Sequence, residues 1–113
     1  MGSGGLIDQL VAMVLSTWGT KHSAQAIREH LLNVMEAKTY FLVNDCDRVV
    51  GYLEWQWVNQ ETGTLRVTEL IARHPKAIWM LKDKLYTLPW TTLQFKRHKL
   101  DRQRLHHRRR MHV

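Results

Sequence analysis

The chain has one cysteine, Cys46, and two prolines, Pro75 and Pro89, among 113 residues. A single thiol permits no internal disulfide, so the fold must stand on packing, and the composition agrees with a reducing compartment. No apolar run approaches the roughly 20 residues that cross a bilayer. The longest, from Leu6 to Leu15, is interrupted by Asp8 and Gln9 and lacks the basic flank of a signal peptide. A cytoplasmic protein without membrane contact is the expectation. Apolar material is not lacking, with 44% hydrophobic residues and five tryptophans, and ordered structure around one core follows.

Acidic residues are scarce at one end. Lys96 to Val113 contains a single acid, Asp101, against eight of the 17 lysines and arginines, namely Lys96, Arg97, Lys99, Arg102, Arg104, Arg108, Arg109 and Arg110. The rest of the chain is balanced. A neutral body with one concentrated cationic segment implies an anionic partner, either nucleic acid or an acidic protein. His98, His106, His107 and His112 add charge below about pH 6.5. Histidines flanked by arginines repel a cation, and no cysteine or carboxylate set completes a tetrahedral site, so no metal is expected.

Residues 1–5 are read as a loose end, 6–95 as a folded domain and 96–113 as the basic segment. Leu6, Leu10, Val11, Val14, Leu15 and Trp18 fall at helical spacing, with Gly19 as a stop. Ser23 is an N-cap for a second helix striped by Ile27, Leu31, Val34 and Met35, ending near Ala37 or Lys38. The period then becomes two. Tyr40 to Val43 forms a strand, Asn44 to Asp47 a turn, and Val49 to Val58 a second strand whose Val49, Gly51, Leu53, Trp55 and Trp57 make one buried face. After a turn at Asn59 to Gly63, Leu65 to Arg73 gives a third strand. Its apolar residues switch from odd to even positions, which predicts a β-bulge near Thr68 to Leu70. Pro75 opens a helix striped by Ile78, Leu81, Leu85 and Leu88 and closed by Pro89. Thr91 to Lys99 is a fourth strand. The fold class is therefore α+β: two helices, a three-stranded antiparallel meander, a crossover helix and one further strand paired in parallel.

This order, with Tyr40-Phe41-Leu42-Val43, an acidic turn and Val49-Val50-Gly51-Tyr52-Leu53, resembles the core of the GNAT N-acetyltransferase superfamily. It is also similar to toxin-activating lysine acyltransferases and small phage-encoded GNAT-like proteins. The resemblance implies an acyl-CoA-dependent N-acyltransferase, minimal or catalytically degenerate, using acetyl-CoA or another acyl-CoA on a protein or small amine. The family's bulged strand corresponds to Leu65 to Arg73, which would put Leu70, Ile71 and Ala72 against the cofactor. Its glycine-rich phosphate loop corresponds to Arg73-His74-Pro75-Lys76-Ala77. That stretch has no glycine here and Pro75 removes an amide, leaving Arg73 and Lys76 to meet phosphate by charge. The helix that carries the family's proton-donating tyrosine has no counterpart, and Tyr86 reads as packing.

Amine acylation needs a base, and a carboxylate on a partly apolar strand can serve. Glu69 beside the bulge is the first candidate, Glu54 between Leu53 and Trp55 the second, and His22 ahead of the second helix the third. Cys46 between Asp45 and Asp47 is a poor nucleophile. Trp55, Trp57, Trp79 and Trp90 read as packing more than as stacking platforms. The alternative function is non-enzymatic, a phage-type structural or host-modulating protein that binds nucleic acid or an acidic partner through 96–113. It would sit in a host cytoplasm or a virion.

Overall fold

A computed structural model describes residues 5–18, 22–95 and 99–101. Helices α1 (Gly5–Trp18) and α2 (Ala24–Ala37) precede strands β1 (Tyr40–Asp45), β2 (Arg48–Asn59) and β3 (Thr64–Ala72); α3 (Pro75–Leu85), β4 (Thr92–Phe95) and β5 (Lys99–Asp101) follow. The sheet order is β1-β2-β3-β4-β5, with β3 and β4 parallel and the other neighbours antiparallel. The expected α+β class and its parallel pairing are therefore present. Beyond expectation, Lys99–Asp101 turns back beside β4, so that the fourth strand stops at Phe95 and part of the basic segment joins the sheet.

Local chemistry accounts for the boundaries. Ser23 accepts from the Ala26 amide at 3.1 Å, and Lys38 closes α2 in the left-handed conformation. Cys46 and Asp47, both at positive φ, make a two-residue hairpin turn tighter than the Asn44 to Asp47 stretch expected. Gly5 lies in the first turn of α1 rather than in a loose end. α3 ends at Leu85, short of Leu88, because Pro89 disfavours helical backbone in the residue before it. Tyr86, Thr87 and Leu88 instead donate three residues back, to Asp83, Lys84 and Leu85.

Both faces of the sheet are buried, which corrects the reading of one buried face. α3 covers one side, where Ala77, Leu81 and Leu85 meet Val43, Val50, Leu53, Trp55, Leu65, Val67, Trp90 and Leu93. α1 and α2 cover the other, where Leu10, Met13, Val14, Ile27 and Leu31 meet Val49 and Tyr52. A register break at Val43/Asn44 leaves Val50 as the extra residue of β2 and puts Val49 in the α1–α2 core with Tyr52 while Val50, Leu53 and Trp55 face α3, which strict alternation could not show. Gln9 Oε1 accepts the Val49 amide at 2.8 Å and ties α1 to that irregularity.

Candidate active site

The pairing of β3 with β4 runs from Thr64↔Thr92 to Val67↔Phe95. Below it the two strands are laced shut: the Thr91 and Thr92 amides donate to Gly63 O at 2.8 and 3.2 Å, and Arg66 donates from Nε and Nη2 to its cross-strand partner Gln94. Above it β3 continues through Thr68 to Ala72 with no described partner on the β4 side. The register between β2 and β3 slips at the same level. Glu54 faces Glu69 and Trp55 faces Val67, so Thr68 is the extra residue. The predicted bulge is present, at the point where the strands part.

Tyr40, Glu54 and Glu69 form one row across β1, β2 and β3, placing the two carboxyl-bearing residues directly opposite. Such neighbours have Cβ atoms about 5 Å apart. Glu54 is 8% exposed. Its Oε1 accepts from the Tyr52 hydroxyl at 2.7 Å and lies 2.8 Å from His30 Nε2, while Oε2 accepts from Thr68 Oγ1 at 2.8 Å. The Thr68 hydroxyl also reaches Glu54 O at 3.2 Å, locking the bulge to β2. Burial, then the hydrogen bond to Glu54, then the charges of Glu54 and Glu69 push the Tyr52 hydroxyl far above the ordinary tyrosine range, which keeps it a donor.

Of the predicted base candidates, the structure brings together Glu54 and Glu69. His22 lies exposed ahead of Ser23, roughly two helical turns before His30, the α2 histidine that meets Glu54. Leu70, Ile71 and Ala72 occupy the open half of β3, half-buried, with Leu70 and Ala72 toward the α3 core and Ile71 toward the α1–α2 core. Arg73 and Lys76 are exposed at the β3–α3 turn. His74 caps α3, its Nδ1 3.3 Å from the Ala77 amide, with Pro75 at the first position. Two of the backbone donors that a phosphate would use there are thus removed or engaged, and charge is what the turn offers an anion.

Sequence reasoning missed His30, Tyr52 and Thr68. His30 lies three residues after Ile27 and one before Leu31, at the edge of the α2 stripe, and that placement is the signal that it meets the sheet. Strict alternation puts Tyr52 on the side of β2 opposite Leu53 and Trp55, whereas the structure buries it against α1 and α2. Among the basic residues, Lys99 lies in β5, whereas Lys96, Arg97, Arg102, Arg104, Arg108, Arg109 and Arg110 lie outside the described residues. No cluster of three or more potential metal ligands occurs among the described residues, and no described helix is long and apolar enough to cross a membrane.

A sheet that splits after a bulge, with two helices on one face and a crossover helix on the other, is the fold of the GNAT acetyltransferases, and solved structures bear this out. The chain is similar to the aminoglycoside 6'-N-acetyltransferase from Enterococcus faecium, with 16% identity and a TM-score of 0.57 over 82% of this chain and 55% of that one. It is similar to the ribosomal-protein-alanine N-acetyltransferase from Brucella melitensis biovar Abortus 2308, with 13% identity and a TM-score of 0.56 over 93% and 83%. A possible acetyltransferase from Clostridium difficile 630 gives a TM-score of 0.60 at 10% identity over 95% and 83%. No protein-family model matches the sequence, and no curated protein matches it. The likeness is one of fold.

Proposed function

We propose that the chain is a small N-acyltransferase that moves an acyl group from a CoA thioester, acetyl-CoA being the simplest, to the amine of a protein or small molecule. The observation that carries this reading is the parting of β3 from β4 at Thr68, beside the facing Glu54 and Glu69. Like charges placed directly opposite across a sheet cost stability, so the juxtaposition of two carboxyl groups at the mouth of a fork favours a chemical role. Arg73 and Lys76 would hold the phosphates of the thioester carrier by charge, and its arm would lie along Leu70 to Ala72. What the carrier supplies is an activated acyl carbon.

The two glutamates divide the work. Glu54 spends both oxygens on Tyr52, Thr68 and His30, which suits a group that fixes the bulge and the row around it. Glu69, half-buried and next in the row, is the base that takes the amine proton as nitrogen bonds to the acyl carbon and the carbon–sulfur bond breaks. A thiol ionises near pH 8.5, about two units below an ordinary amine, so the thiolate can leave without a dedicated acid. That accommodates a site in which no tyrosine-bearing helix follows β4 among the described residues.

Calorimetry with acetyl-CoA is the first test, and no binding at high micromolar concentration would sink the reading. Given binding, Glu69→Gln should lower kcat/KM for a responsive amine by about 100-fold or more, the usual worth of a general base, while the midpoint of unfolding stays near that of the parent. An equal rate in the variant removes Glu69 from the role.

A further inference from the structure

Trp55 and Trp90 are buried and Trp57 is half-buried. Trp79 is 61% exposed, which corrects the expectation that it packs. It stands midway along α3, whose Ala77, Leu81 and Leu85 are spent on the sheet, so its indole belongs to the side turned to solvent. Met80 beside it is 41% exposed. Single apolar residues are ordinary on a surface, and what surrounds this pair decides whether it means more.

Residues three apart on a helix adjoin. Lys76, Trp79 and Lys82 therefore form one row, with the ring between two lysines whose positions lie about 9 Å apart along the axis. Lys82 Nζ is 5.2 Å from the ring centroid, within reach of a cation–π contact, and Lys76 is exposed on the other side. α3 carries Lys76, Lys82 and Lys84 against one acid, Asp83, and exposed Arg73 precedes it. Such an excess opposes a basic partner. Protein interfaces are depleted in lysine, whereas an exposed ring set between cations complements an unpaired base and its flanking phosphates. The base faces of a duplex are covered by their neighbours in the stack, so a single strand is the form that fits.

We propose that the outer face of α3 is a platform for single-stranded nucleic acid. Trp79 stacks on an unpaired base, and Lys76 and Lys82 meet the phosphates on either side of it. The platform is separate from the carboxylate pair, since Glu54 meets His30 of α2 on the opposite face of the sheet, and it does not depend on the acyltransferase reading. It supplies what a cationic segment alone does not. Charge gives salt-sensitive association with paired and unpaired strands alike, and stacking adds a preference for the unpaired form.

The test follows binding of the full chain to a fluorescent oligothymidylate, and to a duplex of the same length, by anisotropy over a salt series. Trp79→Ala should weaken binding to the single strand about tenfold at every salt concentration, near the lower end of the worth of one stacked base. Binding to the duplex should stay as in the parent, and so should the urea midpoint, since the side chain is exposed. Trp79→Phe, which keeps a ring, should recover part of the loss. Lys76→Gln combined with Lys82→Gln should instead lower the slope of log K against log salt by about 1.4, which is about 0.7 for each phosphate of a single strand. An unchanged single-strand affinity in Trp79→Ala overturns the platform, and so does an equal loss on the duplex. A loss confined to acetyl-CoA, or to vesicles of anionic phospholipid, also overturns it by giving the ring another partner. Failure of the full chain to bind oligothymidylate at low salt overturns it as well and leaves the acyltransferase reading untouched.

Discussion

At the scale of single residues, the Glu54 carboxylate is the group on which most others depend. Replacing it with alanine strands the Tyr52 hydroxyl and leaves Thr68 only the Glu54 main-chain carbonyl, and a buried donor without an acceptor costs about 1 to 3 kcal/mol. Glu54→Ala should therefore lower stability by about 2 to 4 kcal/mol in urea unfolding, and Glu54→Gln, which keeps an acceptor oxygen, by less. Equal losses would show that volume and not hydrogen bonding is at stake. Tyr52 gives a second handle, through pH. Its proton is held in the folded state well above the value near 10 of an unfolded tyrosine. Its contribution is complete below pH 10 and declines above it, because the unfolded chain releases the proton while the folded one keeps it. The slope is about 1.4 kcal/mol per pH unit for one such group. Urea midpoints from pH 9.5 to 11 should fall more steeply in the parent than in Tyr52→Phe, and parallel curves would refute the linkage. Glu69 and Glu54 could be nominated from sequence because carboxylates are rare on apolar strands. Their partners could not, because a hydroxyl or imidazole becomes part of a site through register and helix docking, which no local pattern records.

At the scale of elements, periodicity carried far. The helical stripes of α1 and α2, the Ser23 cap and the strand meander could all be read from spacing, since each arises from interactions within a few residues. The bulge was legible for a sharper reason: Leu65 and Val67 on odd positions and Leu70 on an even one cannot both reach the core of a regular strand. The extra residue at Val50 escaped notice because Val49, Val50 and Gly51 are all apolar or small, and a slip among them changes no visible pattern. Gly51 marks where α3 presses hardest on the sheet. A Cβ placed there would lie 3.1 Å from Leu81 Cδ1 and 3.3 Å from Ala77 Cβ. Leu81 can turn aside, but Ala77 moves only with the helix. Gly51→Ala is thus expected to cost about 1 kcal/mol and Gly51→Val about 3 kcal/mol or more, as overpacking generally does. Gly51→Val should cost less when added to Ala77→Gly than when added to the parent if the clash is the cause, and urea unfolding of the four proteins closes that cycle.

For the whole molecule, the cationic end and the fork meet at one strand. β5 takes its residues from the basic segment yet completes the sheet beside β4, so shortening the chain has two separable outcomes. Ending it after Asp101 keeps β5 and removes Arg102, Arg104, Arg108, Arg109 and Arg110. Ending it after Phe95 leaves β4 as a short edge strand over Trp90 and Leu93, both buried, and strips the ladder that supports one wall of the fork. The first truncation should leave the urea midpoint close to that of the full chain. The second should lower it by about 1 to 3 kcal/mol, the usual range for losing packed and hydrogen-bonded structure. Nucleic-acid affinity, which the basic segment is proposed to supply, should follow a different line. It should fall steeply and linearly with the logarithm of salt concentration in the full chain, and lose most of that slope after removal of 102–113, since five arginines are five potential phosphate contacts. If binding to a duplex or single strand keeps its slope in the protein ending at Asp101, the contact belongs to the folded body, where Lys82 lies 5.2 Å from the exposed ring of Trp79. If both truncations lose acetyl-CoA binding together while the urea midpoint of the first is unchanged, the arginines serve the fork and not a separate partner.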